Sequence, residues 1–176
     1  MIGTREADAT LFGVAQARRA LATSSVSLLH VVFAPASARA VLLGLTRIEN
    51  RTGEPLALEY TELWDVPAGD YRVAPAACER RFGGHVFALA EASVVTRARA
   101  PEAAPSRGLA LDVALAVPPR ARRHLAFAYV AVPDEEEAGE VVRAWRGEAA
   151  AELARIGAAL GSVEAYRELG RYSGPR

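Results

Sequence analysis

Three side chains near the middle of the chain combine a carboxylate with aromatic rings. Tyr60, Glu62 and Trp64 occupy every second position of the segment LEYTELW. Because side chains alternate between the faces of a strand, a strand here would place all three on one face. Two interpretations are open: Glu62 is a strand-end carboxylate paired with an arginine, or it is a polar group aimed at a ligand or a neighbouring domain.

A second carboxylate and two residues of a long connection are further candidates for contact with a carbohydrate. Paired carboxylates hydrolyse glycosides, but Glu59 and Glu62 are three residues apart, so a strand would place them on opposite faces. No catalytic residue is therefore predicted. Tyr71 and Arg72 fall in a long connection and could contact a sugar or a partner. The predicted substrate-binding residues are Tyr60, Glu62, Trp64, Tyr71 and Arg72.

Histidine, cysteine and glycine spacing predicts neither a metal site nor a cofactor. His30, His85 and His124 lie far apart in predicted strands, without the spacing of metal ligands. The glycine pair at 83–84 lacks the lysine and the strand–helix context of a phosphate-binding loop. The single cysteine, Cys78, excludes a disulfide within the chain. We interpret it as a partly buried thiol, with a catalytic thiol as the alternative.

Composition and charge restrict the classes of partner. The 176 residues are 51% hydrophobic and 24% charged, and 21 basic residues balance 21 acidic ones. A neutral chain has no long-range attraction for phosphate, so we expect no nucleic-acid partner. No apolar run approaches the roughly 20 residues of a membrane span, and the N-terminus lacks the pattern of a signal peptide. The expected location is the cytoplasm.

Alternation of apolar and polar residues predicts at least six strands. They cover residues 24–33, 40–49, 56–66, 85–96, 109–117 and 122–132. The polar turn at 50–55 predicts a hairpin spanning Leu45 to Val66, and the last two strands predict a second hairpin. Residues 67–84 are expected to form an irregular connection with a short helix over 76–81.

The two ends of the chain differ from this pattern. Residues 1–22 predict either a short helix or an extended arm, whereas Asp134 begins a helix-capping pattern with Glu137 three residues later. Strands first and helices last predict a mainly β fold, an antiparallel two-sheet β-sandwich followed by C-terminal linker helices. The predicted division is an N-terminal arm over 1–23, the sandwich over 24–133 and a helical segment over 134–176.

A diffuse order of residues in the first two-thirds of the chain resembles a known family. An extended F-x-P segment precedes a strand, then comes a Leu-Thr pair with an asparagine before the turn, then a strand ending in Tyr-x-Glu. The matching residues are Phe33, Pro35, Leu45, Thr46, Asn50, Tyr60 and Glu62. This order resembles the N-terminal β-supersandwich of the cellobiose and chitobiose phosphorylases, glycoside hydrolase family 94, and the related modules of cyclic β-1,2-glucan synthases. The segment RRHLAFAYVAVPDEEEAGEVVRAWR resembles the closing strand and following helix of that family.

The resemblance implies a non-catalytic accessory domain of a carbohydrate-active enzyme. In that family a helical barrel follows the sandwich and carries the general acid, so we expect this chain to lack the active site of its glycoside phosphorylase or glycosyltransferase parent. Expected partners are a β-glucan-type carbohydrate, a helical-barrel catalytic domain or a second copy of the chain. The alternatives are a free-standing interaction or scaffold protein with this fold, and a mutarotase-type enzyme acting through His and Glu.

Overall fold

The computed structural model describes residues 9–13, 16–35, 40–74, 76–92, 98–101, 105, 108–133, 135–149, 151–152 and 154–155. These residues form ten strands and one helix in the order predicted, with strands first and the helix last. The elements are β1 (Ala9–Gly13), β2 (Gln16–Ala22), β3 (Val26–Phe33), β4 (Val41–Asn50), β5 (Leu56–Trp64), β6 (Asp70–Ala74), β7 (Ala77–Phe82), β8 (His85–Glu91), β9 (Leu109–Val117), β10 (Arg122–Val132) and α1 (Glu135–Ala144).

The strands form two antiparallel sheets of unequal size. The large sheet has eight strands in the order β1-β2-β3-β4-β10-β8-β7-β6, and the small sheet pairs β5 with β9. The small sheet packs on one face of the large sheet, and α1 packs on the other face over β10 and β8. The predicted mainly β fold, an antiparallel two-sheet sandwich followed by a C-terminal helix, is confirmed.

The core between the two sheets follows from the period of two along β9. Its alternate residues Leu109, Leu111 and Val113 are buried against Leu125 and Phe127 of β10. Fully burying a side chain of this size stabilises the fold by roughly 1.5–3 kcal/mol. The period of two along residues 109–117 therefore gives β9 a buried face that packs into the core between the sheets.

The core beneath the helix is built from smaller side chains. Ala138 and Val141 of α1 contact a cluster that includes Ala88 of β8 and Ala128 of β10. Alanine leaves room above the sheet, so the helix can approach closely. The alanines of β8 therefore lie where the helix packs on the sheet.

Both predicted hairpins are wrong. β4 pairs with β3 and β10, whereas β5 pairs with β9, so the polar turn connects two sheets and not two neighbouring strands. The turn at 118–121 likewise connects β9 of the small sheet with β10 of the large sheet. The reason is burial: apolar side chains cover both faces of β4, which suits an inner strand of a large sheet. In contrast, β5 exposes one face to solvent.

One buried side chain connects the two crossings between sheets. Asn50 is 1% exposed, and its Nδ2 lies 2.7, 3.0 and 3.1 Å from the carbonyl oxygens of Glu54, Val117 and Pro118. Its Oδ1 accepts hydrogen bonds from the backbone N–H and the hydroxyl of Thr52 at 2.9 and 2.7 Å. The amide therefore satisfies backbone groups of both connections, 51–55 and 118–121, at the same end of the sandwich.

The connection over 67–84 is ordered differently from the expectation. Strands β6 and β7 occupy it, so the short helix predicted over 76–81 is wrong. Cys78 and Arg80 both face the core at 0% and 3% exposure, which is the alternation of a strand. A buried arginine hides that alternation when only polarity is considered.

The N-terminal end of the chain adds two strands and the C-terminal end adds one helix to the part described. Strands β1 and β2 extend the large sheet beside β3, so residues 9–13 and 16–22 take the extended of the two expected forms. The first of the linker helices expected after Pro133 is present as α1; residue 134 and residues 156–176 lie outside the described residues. The division of the chain at residues 23 and 133 stays a prediction. No helix among the described residues has the length and apolarity to cross a membrane.

Replacing Asn50 with alanine should destabilise the fold because buried carbonyl groups of both crossings lose their donor. We expect the free energy of unfolding to fall by about 3 kcal/mol, since each unsatisfied buried group costs ~1–3 kcal/mol. Urea unfolding followed by circular dichroism measures it. Glu54→Ala, at an exposed position of the same turn, is the control. A loss for Asn50→Ala no larger than for the control would contradict the assigned role.

Candidate functional site

Three of the five predicted binding residues meet on the inward face of β5. The Glu62 carboxylate is 3% exposed. The hydroxyl of Tyr60 donates to its Oε2 at 2.5 Å, and the indole Nε1 of Trp64 donates to its Oε1 at 2.8 Å. The alternation along the strand thus brings the three side chains together as predicted, but they face the interior of the sandwich.

Two residues of the large sheet complete this group. Thr46 of β4 lies 3.0 Å from the Tyr60 hydroxyl, and because that hydroxyl donates its one proton to Glu62, Thr46 is the donor. His30 of β3 places Nε2 3.5 Å from Glu62 Oε1. We call these five residues, His30, Thr46, Tyr60, Glu62 and Trp64, the Glu62 cluster.

A glycine makes room for the cluster. A Cβ at Gly44 would lie 3.3 Å from His30 Nε2 and 3.4 Å from Glu62 Oε1. These distances are at the edge of tight contact, so a larger side chain at this position of β4 would push against both groups. Sequence analysis did not single out Gly44, His30 as a partner of Glu62, or Thr46 as a donor, because each comes from a strand of the other sheet.

The aromatic rings of the cluster stack on rings of β10. Tyr60 lies over Phe127 with centroids 5.9 Å apart, and Trp64 lies over Tyr129 at 4.7 Å with an interplanar angle of 5°. Stacked pairs of this kind contribute about 0.5–1.5 kcal/mol beyond their buried area. The rings therefore pack the two sheets together, and these faces are not open platforms for a sugar.

The environment keeps Tyr60 protonated. Burial raises the pKa of its hydroxyl far above the usual 10, and the negative charge of Glu62 and the hydrogen bond to it raise the pKa further. Tyr60 is thus a fixed donor to the carboxylate. Among the described residues no arginine pairs with Glu62, so the ion pair considered from the sequence is replaced by donation from Tyr60 and Trp64.

The other two predicted binding residues lie elsewhere. Tyr71 and Arg72 are on β6, at the edge of the large sheet away from β3 and β4. The Tyr71 hydroxyl donates to the carbonyl of Pro101 at 3.0 Å, and burial raises its pKa to about 12. Arg72 is exposed. The structure therefore divides the five predicted residues between two places, and their role in binding stays a prediction.

A buried arginine that sequence analysis missed organises the loops beside β6. Arg80 is 3% exposed; its guanidinium donates to the carbonyls of Gly108 at 2.7 Å, Gly69 at 2.9 Å and Pro105, and it lies 5.3 Å from the centre of the Tyr71 ring. Only a planar fork of donors reaches three carbonyls in this way. The sequence signal that indicates this burial is the alternation along β7, which puts Arg80 on the same face as Cys78.

The remaining candidates for chemistry do not come together. His85 and His124 are exposed on β8 and β10, and no three His, Cys, Asp or Glu side chains in the described part of the chain are grouped to hold a metal ion. Cys78 is buried, its thiol donates to the carbonyl of Ala110 at 3.3 Å, and burial raises its pKa to about 11. A thiol in this state is a poor nucleophile.

A second set of polar side chains lies on the solvent-exposed face of the small sheet. A shallow depression of about 520 Å³ opens there. It is lined by Glu59, Thr61, Arg99, Asp112, Val113 and Ala114. The Thr61 hydroxyl donates to Asp112 Oδ1 at 2.6 Å. In contrast to the Glu62 cluster, these polar side chains are in contact with solvent.

No protein-family model matches the chain, and no curated protein matches it. The likeness to the glycoside phosphorylase sandwich therefore stands on the residues quoted for it. It enters the functional argument as a proposal.

Replacing Tyr60 with phenylalanine should destabilise the protein because Glu62 Oε2 and Thr46 both lose a buried partner. We expect the free energy of unfolding to fall by about 2 kcal/mol. The matched control is Tyr129→Phe, which removes the same hydroxyl from a ring that stacks on Trp64. No hydrogen bond of the Tyr129 hydroxyl is present among the described residues, so its change should stay within about 0.5 kcal/mol. Equal losses in the two variants would contradict the role of Tyr60.

The raised pKa of Tyr60 also predicts a loss of stability in alkali. Because the folded-state pKa lies above the unfolded value, the contribution is complete below pH ~10 and falls as the pH rises beyond it. The ultraviolet absorbance of tyrosinate measures the ionisation. At about pH 11 the folded wild type and Tyr60→Phe should show equal tyrosinate absorbance, and the difference should develop only on unfolding in urea. A difference already present in the folded proteins would show that Tyr60 ionises in place.

Proposed function

We propose that this chain is a non-catalytic accessory β-sandwich domain of a carbohydrate-active enzyme, of the glycoside phosphorylase or hydrolase kind, acting in domain packing, oligomerisation or carbohydrate binding in the cytoplasm. The observation that supports it most is that the residues carrying the family resemblance make structural contacts in this fold. Asn50 joins the two crossings between the sheets, and Tyr60 of β5 hydrogen-bonds both to Glu62 and to Thr46 of the large sheet. A likeness confined to such residues is a likeness of fold, which suits an accessory domain.

The state of the carboxylate supports a role without catalysis. A general acid or base must come within hydrogen-bond reach of the substrate. Glu62 is enclosed, and donors from its own strand occupy both of its oxygens. His30 lies beside it at 3.5 Å, yet this His–Glu pair faces the interior. This burial argues against the mutarotase-type alternative.

The exposed apolar side chains favour the second candidate, a free-standing interaction or scaffold protein. Leu63, Val73 and Phe82 are 65%, 50% and 51% exposed. Large apolar side chains in contact with water are common anchors of protein interfaces. They lie on different strands, and Leu63 borders the polar depression of the small sheet. Trp145 is not part of this exposed set, because it packs against the core beneath α1.

Calorimetric titration distinguishes these candidates. We expect saturable heat with cellohexaose or a linear β-1,2-glucan and none with maltohexaose, the α-linked control. We also expect no glucose 1-phosphate from cellobiose and phosphate, because the Glu62 carboxylate is enclosed and out of reach of a substrate. Phosphorolysis that co-purifies with the protein and is lost in Glu62→Gln would contradict the non-catalytic assignment. The absence of binding heat with every β-linked sugar would reject carbohydrate binding and leave the scaffold candidate.

A further inference from the structure

The outer face of the small sheet carries a polar row that crosses three segments of backbone. Arg99 and Asp112 exchange two backbone hydrogen bonds of 2.8 Å each, so the segment around residue 99 lies beside β9 like a third strand. Thr61 is opposite Asp112 in the register of β5 and β9. Residues directly opposite each other share a face. Arg99, Asp112 and Thr61 therefore form one row, which we call the outer row.

Small residues beside the outer row create the depression. Ala114 of β9 is opposite Glu59 of β5, and the next pair along the sheet is Ala57 with Ala116. Alanine adds little height to a sheet, so the longer side chains of the outer row and Glu59 rise above a low floor. The result is the open depression of about 520 Å³.

The polar groups of the depression retain hydrogen-bonding capacity. Thr61 uses its proton on Asp112, which orients that carboxylate and leaves most of its acceptor sites open. Among the described residues, neither the Arg99 guanidinium nor the Glu59 carboxylate takes part in an ion pair or a side-chain hydrogen bond. The depression thus offers guanidinium donors and carboxylate acceptors side by side.

This combination favours a neutral ligand rich in hydroxyl groups. A guanidinium disfavours a cation in the depression, and two carboxylates disfavour an anion. Hydroxyl groups donate and accept at once, so neighbouring hydroxyls of a sugar ring match a carboxylate beside a guanidinium. No aromatic side chain lines the depression, so recognition would rest on hydrogen bonds.

We propose that the outer face of the small sheet is a saccharide-binding site. Asp112 and Glu59 accept from vicinal hydroxyls of a neutral oligosaccharide, and Arg99 donates to its ring or linkage oxygens. The proposal rests on the proposed carbohydrate-binding function and identifies where on the domain the sugar is held. It places binding on the solvent-exposed face of β5 and β9, whereas Tyr60, Glu62 and Trp64, predicted from the sequence, face the opposite way.

Calorimetry with the β-linked oligosaccharide that binds best, cellohexaose or the linear β-1,2-glucan, tests the site. Arg99→Ala and Glu59→Gln should each weaken binding about tenfold, the loss typical of one charge-assisted hydrogen bond. Arg123→Ala and Glu54→Gln remove matched exposed groups at the crossover end of the sandwich and should leave the dissociation constant within about twofold. Thermal melting of every variant confirms that each is folded.

The outcomes separate the two proposals. If the wild type binds and all four variants bind equally well, the outer row is not the site, and the carbohydrate-binding function stands without it. If the wild type binds none of the β-linked sugars, the carbohydrate-binding function fails and the saccharide site fails with it. A loss confined to Arg99→Ala and Glu59→Gln supports the site.

Discussion

The fold depends on a single buried amide at the place where the chain passes twice between the sheets. β4 continues into β5 and β9 into β10 at the same end of the sandwich, and the Asn50 side chain hydrogen-bonds to the backbone of both connections. Buried backbone groups must find partners. The Ala121 N–H donates to the Pro118 carbonyl at 3.1 Å, and Asn50 adds a donor to that carbonyl and to those of Glu54 and Val117. The position of the small sheet over β4 and β10 follows from this contact together with the leucine-rich face of β9.

The Glu62 cluster adds specificity to the apolar contact. A slip of β5 by one residue would turn Glu62 to solvent and Leu63 inward. A slip by two would keep the face but separate Glu62 from His30 and Tyr60 from Thr46. Apolar side chains tolerate such shifts better than a buried carboxylate, which must keep its donors. The cluster therefore selects one register of the small sheet on the large one.

Six strands, β3, β4, β5, β8, β9 and β10, could be predicted from the sequence, whereas β1, β2, β6, β7 and the pairing of the strands could not. Period two identifies the strands and the inward side of β9, because burial acts on each strand alone. A polar turn such as 50–55 suits a hairpin and a crossing between sheets equally well, so only three-dimensional packing decides. For the same reason Tyr60 and Glu62 were grouped correctly, whereas their partners on β3 and β4 were not found. Arg80 was missed because a charged side chain conceals the buried side of β7.

A domain built in this way keeps Asn50 and Glu62, both conspicuous in the sequence, buried between its sheets. The buried contacts of Asn50 and of the Glu62 cluster join the two sheets into one cooperative unit. Native-state amide hydrogen exchange tests it most directly, because it reports the free energy of opening strand by strand. We expect the slowest amides of β5 and β9 to exchange through an opening of the same free energy as those of β4 and β10. Exchange of β5 and β9 at a free energy lower by more than about 2 kcal/mol would show that the small sheet opens by itself, and would contradict the account.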